Sequence, residues 1–305
     1  MKSCWLIEKG GEDNLFVKEE LKNLEELGKA HIQFEKPFFT TWIKSLNQIC
    51  SNEEVEHFIM RCGTTTLANI IQAKELSDFF HPDEKINPAI IEKADWWLGK
   101  IQQSVFYTLD NFDQKNYQQM NLPLLNADSQ FVALANEDNL QLSFDSFRFI
   151  KPTRDLKAFN AGVLSPGQTI EQFLNAQTHD GSYEDDTLMI AKAKNVMDEY
   201  RFFVAGDEVI ASSQYRHEKK LEYRMLNQGQ EHQKVMDIAI EYAKLYKPAD
   251  MFVMDIARED NDTYSIIEYN SFNCAGFYAA DKKAIVNSVE DYLSQQKYQK
   301  KMKKS

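Results

Sequence analysis

The 305-residue sequence lacks the features that define several classes of protein. Its four cysteines, Cys4, Cys50, Cys62 and Cys274, are scattered without a CxxC pair. This spacing speaks against a zinc site or a disulfide framework and favours a reducing cytoplasm. No apolar run approaches the length of a membrane span, and no signal-peptide pattern follows Met1. We therefore expect a cytoplasmic protein without a membrane partner.

Common site motifs are also missing. There is no GxGxxG or GxxxxGK[ST] loop, and the six histidines form no HxxxH or HExxH pattern. The net charge of −12 argues against nucleic acid as the main partner. Hydrophobic residues make up 43% of the chain and aromatic residues 12%, a composition typical of a globular protein.

The first 75 residues alternate strand-like and helix-like segments, which predicts a small open α/β domain. A helix is expected over 14–27, ended by Gly28. Residues 76–145 have little periodicity and are expected to form a linker or helical part, with Trp96 and Trp97 in a core.

From residue 146 the sequence is rich in strand patterns. Residues 198–204 and 208–216 alternate on either side of a short turn and predict a β-hairpin. Helical spacing follows over 230–246 and 281–300. We therefore expect antiparallel sheets over 146–305.

A second hairpin carries unusual polar residues. Two apolar runs, 253–257 and 266–270, flank a polar turn and contain Asp255, Glu268 and Asn270. If Arg258 pairs with Thr263, Asp255 faces Ile266 and Glu268 is its diagonal neighbour. Oxygen-only side chains suit Mg²⁺ held together with nucleotide phosphates. The alternative is an edge hairpin whose polar residues face water.

Two further segments fit a nucleotide. Lys151, Arg154 and Lys157 follow an apolar strand and could hold a polyphosphate, or could form a surface charge run. The apolar run 188–192 could flank an adenine ring, with Glu199 on the ribose hydroxyls. That run could equally be one more buried strand.

In this order the segments resemble the R2K clade of the ATP-grasp superfamily, a group with a characteristic arginine and two lysines. The resemblance rests on Phe149–Phe159, Glu199–Val204, Ser213–Arg216, and Asp255 with Glu268–Asn273. It implies a mixed α/β and α+β fold. A pre-ATP-grasp-like domain over 1–75 and a linking part over 76–145 would precede a two-lobed ATP-grasp fold with antiparallel sheets over 146–305.

The resemblance also implies a role for each matching position. Lys151 and Arg154 would contact ATP phosphates, Ile190, Ala191 and Lys192 would lie beside adenine, and Glu199 would bind ribose. Asp255, Glu268 and Asn270 would hold one or two Mg²⁺ ions, or Mn²⁺ in their place. Lys157, Arg201 and Arg216 would contact the γ-phosphate or an acyl-phosphate. In contrast to many ATP-grasp enzymes, no glycine-rich flap is present, because no glycine occurs between Lys151 and Gly162.

The implied activity is that of an ATP- and Mg²⁺-dependent ligase. It would join the carboxylate of a small molecule or peptide to an amine through an acyl-phosphate. Two alternatives stay open: an ATP-dependent kinase of a small molecule, and a nucleotide-binding regulatory protein without catalysis.

Overall fold

The computed structural model describes residues 3–9, 15–34, 55–74, 96, 98–103, 105–154, 159–176, 187–226 and 230–302. The chain divides into two compact units, residues 1–106 with 272–305, and residues 107–271. The fold is mixed, as the sequence predicts, and the described residues form one parallel and two antiparallel sheets. The predicted boundaries at residues 75 and 145 stay a prediction.

In chain order the strands are β1 (Ser3–Glu8), β2 (Ala30–Phe34), β3 (His57–Arg61), β4 (Gln130–Ala133), β5 (Arg148–Pro152), β6 (Gly162–Leu164), β7 (Thr187–Lys192), β8 (Val196–Ala205), β9 (Glu208–His217), β10 (Lys220–Met225), β11 (Met251–Glu259) and β12 (Tyr264–Ser271). The helices are α1 (Leu15–Glu26), α2 (Thr64–Gln72), α3 (Leu109–Phe112), α4 (Gln114–Tyr117), α5 (Glu137–Leu140), α6 (Ile170–Asn175), α7 (Gln230–Tyr242) and α8 (Lys282–Met302). None of the helices in the described ranges is long and apolar enough to cross a membrane.

The first unit is built on a parallel sheet in the order β2-β1-β3. Leu6, Phe58 and Met60 from its strands are fully buried. Gly28 ends the turn after α1 at φ 64°, a left-handed conformation that costs a glycine little. Helix α8 belongs to this unit, and its Glu290 accepts a 3.1 Å hydrogen bond from Trp5 Nε1. The predicted α/β rhythm of the first residues is thereby confirmed.

Trp96 corrects one prediction in this unit. Its side chain is 54% exposed rather than in a core, and Lys100 Nζ lies 4.0 Å from its ring centroid. The two residues are four positions apart, so they lie on the same face of a helical turn, where a cation–π contact forms at the surface. Trp97 lies outside the described residues.

The second unit contains both antiparallel sheets. Five strands follow the order β10-β9-β8-β11-β12, and four follow the order β4-β7-β5-β6. The predicted hairpin of β8 and β9 is confirmed, with Gly206 at φ 60° in its turn. In the smaller sheet Gly162 packs so closely on Phe173 that a Cβ would lie 2.8 Å from the ring. The first glycine after Lys151 therefore serves packing of β6 rather than a flexible flap.

Candidate active site

A cavity of about 340 Å³ lies within the second unit. Strands of both antiparallel sheets supply its polar walls. Lys151 comes from β5, Glu199 from β8, Arg216 from β9 and Glu268 from β12, and Lys194 lies in the loop between β7 and β8. The cavity therefore brings together four of the residues predicted for the site, and adds Lys194.

The hairpin of β11 and β12 has a different register from the predicted one. Arg258 pairs with Tyr264 rather than Thr263, and the register shifts between Asp255 and Ile256. One extra residue on β12 bulges there, and together with the one-residue shift at the turn it sets Asp255 directly opposite Glu268 instead of Ile266. A bulge of this kind redirects side chains, and here it sets two carboxylates on one cross-strand pair.

Two carboxylates opposite each other repel, and the fold offsets this with cations. Arg201 donates to both oxygens of Asp255, from Nε to Oδ1 at 2.9 Å and from Nη2 to Oδ2 at 2.7 Å. Asn270 Nδ2 donates to Asp255 Oδ2 at 3.0 Å. Asp255 is 1% exposed, so this two-pronged pair is effectively desolvated, which makes its geometry specific and rigid.

The other carboxylate of the pair is held by a lysine of the smaller sheet. Lys151 Nζ, near the end of β5, donates to Glu268 Oε2. Both side chains are largely buried, with 10% and 18% of their surfaces exposed. Lys151 therefore links the two sheets of the unit across the cavity.

A third ion pair completes the cavity wall. Arg216 Nε lies 2.7 Å from Glu199 Oε1, and the Tyr215 hydroxyl also bonds to Glu199. Burial raises the pKa of Glu199, and the opposing effects of Tyr215 and Arg216 do not cancel that rise. The Tyr215 ring also lies under Arg201, whose Cζ is 5.5 Å from its centroid.

Three cation–carboxylate pairs thus line or adjoin the cavity: Lys151 with Glu268, Arg201 with Asp255, and Arg216 with Glu199. We call these the three site ion pairs. In the two pairs that line the cavity, Lys151 and Arg216 have the chemistry to bind a phosphate, and Glu268 and Glu199 that to bind a metal ion or a hydroxyl.

The residues predicted beside adenine lie within a strand. Ile190 and Ala191 are buried in β7 and pair with Ile150 and Phe149 of β5, so their side chains pack in the sheet. Lys192 is exposed. In this part of the chain the residues that line the cavity follow the end of β7; they are Ala193, Lys194 and Val196.

Asp128 orders that loop. Its carboxylate accepts the Lys192 backbone N–H at 3.3 Å and binds Lys194 Nζ at 2.9 Å. The adenine role of Ile190, Ala191 and Lys192 stays a prediction.

The predicted phosphate loop is only partly described. Lys151 lines the cavity, whereas Arg154 is half-buried and is not among the residues that line it. Lys157 lies outside the described residues. Their phosphate roles stay predictions.

The donor set of the metal prediction fits Mg²⁺. Within the described ranges no group of three or more His, Cys, Asp or Glu side chains is placed to hold a metal ion. Asp255, Glu268 and Asn270 instead offer two carboxylates and one amide oxygen. Mg²⁺ is commonly bound by one or two carboxylates plus substrate phosphates. Three side-chain ligands that leave the other coordination positions to phosphates are therefore expected at such a site. Asp255 Oδ1 keeps a second lone pair beside its bond to Arg201, whereas Oδ2 accepts from both Arg201 and Asn270.

Behind the cavity lies a buried network that sequence reasoning missed. Asp198 is 1% exposed and accepts from Arg258 Nε at 2.6 Å, Gln214 Nε2 at 3.2 Å and the Glu218 backbone N–H at 3.0 Å. His217 places Nδ1 3.0 Å from the same carboxylate. We call these residues the Asp198 network.

The Asp198 network holds the turn that follows Arg216. Glu218 and Lys219 have φ angles of 45° and 68°, which are unfavourable for residues with a Cβ. Asp198 binds the Glu218 amide and so offsets the cost of this turn. The sequence signal for this network is an aspartate within a strand pattern, between Met197 and Glu199. It does not identify the residues that Asp198 contacts.

We expect Asp198→Asn to destabilise the protein by about 3 kcal/mol near pH 7, because the buried carboxylate loses the charge that binds Arg258, which is 27% exposed, and the Glu218 amide. Burial raises the pKa of Asp198, but the Glu218 amide and Arg258 outweigh it and hold the pKa below its usual range. A depressed carboxyl pKa stabilises the fold above the unfolded value and less as pH falls through the folded value. The deficit of the variant should therefore shrink below about pH 4.

Urea unfolding of both proteins between pH 7 and pH 3 measures this deficit. Asp237→Asn, which changes an exposed aspartate of α7, serves as the control and should leave stability within about 0.5 kcal/mol. A deficit that stays constant over the whole pH range would contradict the role of the Asp198 charge.

Comparison with known families identifies the part of the chain that carries the site. Residues 129–288 match the sequence model of the family described as ATP-grasp domain, R2K clade family 2. The match spans 160 of the 305 residues, which is more than half of the chain, and includes the three site ion pairs. No curated protein sequence is significantly similar to the chain.

Solved structures share the fold over nearly the whole length. A D-alanine–D-alanine ligase from Bacillus anthracis matches with a TM-score of 0.56 and 11% identity, covering 98% of this chain and 99% of that one. The D-cycloserine synthetase DcsG gives 0.54 and 10%, with 96% and 99% covered. The ATP-grasp ligase PsnB, complexed with minimal precursor, Mg and ADP, gives 0.51 and 13%, with 95% and 97% covered. At these identities the similarity shows the fold alone.

Proposed function

The chain belongs to the R2K clade of the ATP-grasp domain family, and we propose that it is an ATP- and Mg²⁺-dependent ligase that joins a carboxylate to an amine. The observation that carries the proposal is the cavity between β5 and the β8–β9–β12 strands. Lysine and arginine line it together with two carboxylates, which is the side-chain chemistry that a Mg²⁺–nucleotide needs. The structural neighbours add support, since three of them are ligases or synthetases by name.

The site ion pairs suggest how ATP would be received. Lys151 would leave Glu268 for the phosphates, and Arg216 would leave Glu199, which would then bind the ribose hydroxyls. Glu268, Asp255 and Asn270 would face the metal. Because each charge in the site already has a partner, the exchange replaces one ion pair by another and avoids an isolated buried charge.

Arg201 has a different role in this proposal. Its two-pronged bond to Asp255 and the Tyr215 ring beneath it fix the guanidinium within the sheet. A fixed cation stabilises charge that develops during phosphoryl transfer without reorganising first. We assign Arg201 and Arg216 to the transferred phosphoryl group or the acyl-phosphate, with Lys157 as a third candidate.

The proposed reaction has two steps. A substrate carboxylate oxygen bonds to the γ-phosphorus while the bond to the β–γ bridging oxygen breaks, which releases ADP. The amine nitrogen then bonds to the acyl carbon. The bond between that carbon and the phosphate oxygen breaks, phosphate leaves with the bonding electrons, and the nitrogen loses a proton. Bound Mg²⁺ would neutralise phosphate charge, and one or two ions, or Mn²⁺, could do so.

The test is a screen of metabolite and peptide pools for mass changes that require ATP and Mg²⁺. We expect equal amounts of ADP and inorganic phosphate, formed only when a carboxylate and an amine are both present. ADP without phosphate would instead indicate a kinase. ATP binding without turnover in any pool would indicate a regulatory nucleotide-binding protein. ATP and free Mg²⁺ are abundant in the cytoplasm, which is where we propose the reaction takes place.

A further inference from the structure

Strand β10 has an unusual surface for a sheet edge. It is the outermost strand of the five-stranded sheet, and within the described ranges only β9 pairs with it. Three of its six side chains are large and apolar yet exposed: Leu221 at 68%, Tyr223 at 45% and Met225 at 48%. Edge strands that carry exposed apolar side chains tend to pair with another strand.

The order of residues on β10 is symmetric about Tyr223. On either side come a charged residue and then an apolar one: Glu222 and Leu221 before it, Arg224 and Met225 after it. The two charges have opposite sign. When the strand is placed antiparallel to itself about Tyr223, apolar residues meet apolar residues and each glutamate meets an arginine.

Within one chain these charges already attract each other. Arg224 Nε donates to Glu222 Oε1 at 2.7 Å, and both side chains are more than a third exposed. An exposed pair between neighbours of one strand contributes little, so exchanging it for the same pair across a symmetry axis costs little. The register with β9 also shifts between Leu221 and Arg224. Bulges and charges on an edge discourage unselective pairing, and here alternating signs select a partner with the matching order.

We propose that two copies of this chain associate through β10, antiparallel about a two-fold axis at Tyr223. Leu221 then faces Met225 of the partner subunit, and Glu222 faces Arg224 of the partner subunit. Tyr223 faces the same residue across the axis. The two five-stranded sheets become one sheet of ten strands, and the interface is the same patch on both subunits, as in most homodimers.

This dimer does not depend on the proposed ligase activity. It does border the site, because Leu221 is the register partner of Arg216 on β9. The paired segment is short, so we expect a reversible dimer with a dissociation constant of roughly 1–100 µM.

Sedimentation velocity of the full chain over roughly 1–300 µM tests the proposal, a range set by that dissociation constant. We expect the weight-average mass to rise toward that of a dimer. In a symmetric dimer the pair of positions 222 and 224 occurs twice. Glu222→Arg and Arg224→Glu each place like charges opposite one another at both, so each should weaken association at least about tenfold. The double variant Glu222→Arg/Arg224→Glu restores opposite charges and should associate like the wild type. Glu241→Arg, at an exposed position of α7, is the control for the charge change.

Cysteine cross-linking tests the axis independently. Tyr223→Cys places a thiol against its own copy and should give a covalent dimer on mild oxidation. Leu245→Cys is the control, because Leu245 is 50% exposed, close to the 45% of Tyr223, and both variants keep the native cysteines.

Three results would overturn the proposal: a wild type that stays monomeric at every concentration, single charge variants that dimerise normally, or a dimer in which Tyr223→Cys cross-links no better than the control. Circular dichroism of each variant confirms that it is folded before it is compared.

Discussion

ATP turnover by the Asp255→Asn variant is expected to fall by about three orders of magnitude or more. The substitution keeps the shape of the side chain and removes its charge. Asp255 is buried, faces Glu268 across the strand pair and binds Arg201 through both oxygens. Its loss therefore weakens the proposed metal site and releases Arg201 from its fixed position. Steady-state ADP release at saturating ATP and Mg²⁺ measures the effect.

Two further variants make this result interpretable. Glu268→Gln should show a loss of similar size, since it is the opposite member of the same carboxylate pair. Glu241→Gln removes a carboxylate from the surface of α7 and should keep wild-type turnover. Removing one partner of a buried ion pair costs about 3–5 kcal/mol of stability, so folding at the assay temperature is checked by circular dichroism. Wild-type turnover in a folded Asp255→Asn protein would remove this residue from the site.

The Lys151→Met variant should bind Mg²⁺–ATP about 10- to 100-fold more weakly than the wild type. A charge-assisted hydrogen bond to a phosphate contributes about 1.5–3 kcal/mol, and methionine keeps most of the length of the side chain without its charge. Lys151 lines the cavity and belongs to a described ion pair. Calorimetric titration with a non-hydrolysable ATP analogue and Mg²⁺ gives the dissociation constant.

The ion-pair exchange adds a second expectation for this variant. Without Lys151, Glu268 has lost its cation and should hold Mg²⁺ more readily when no nucleotide is present. Weaker nucleotide binding together with unchanged or tighter Mg²⁺ binding therefore supports the exchange. Lys244→Met, an exposed lysine after α7, should change neither constant. Equal nucleotide affinity of Lys151→Met and wild type would contradict the assignment.

Regular elements were predictable where a local pattern decides the structure. The parallel strands of the first unit and the β8–β9 hairpin follow from alternation and turn residues, because those signals lie within a few positions of each other. Strands β4, β6 and β10 were missed. They are short, and their exposed or mixed side chains give no clean alternation, so tertiary pairing rather than local preference defines them.

The register of the β11–β12 hairpin shows where sequence reasoning stops. Asp255 lies opposite Glu268 rather than Ile266 because of two one-residue shifts, one at the turn, where Arg258 pairs with Tyr264, and one at the bulge. Nothing in the local pattern distinguishes the two pairings. The residues of the predicted site could still be proposed, because Asp, Glu and Asn within an apolar strand pattern are unusual at any register.

Long-range partners were beyond reach for the same reason. Asp198 and Arg258 are 60 positions apart, and Lys151 and Glu268 are 117 apart. Which cation meets which carboxylate depends on strand order in the sheets, and the sequence alone does not specify that order. Lys194 was missed because its role depends on Asp128, which lies 66 positions earlier.

Transfer of ¹⁸O from substrate to phosphate tests the central claim most directly. Amino acids and peptides labelled with ¹⁸O in their carboxylates are incubated with the protein, Mg²⁺, ATP and amines, and the released phosphate is analysed by mass spectrometry. A ligase that activates a carboxylate by phosphorylation transfers one labelled oxygen to each phosphate released. Phosphate that carries no label, or ADP formed without any phosphate, would contradict the account.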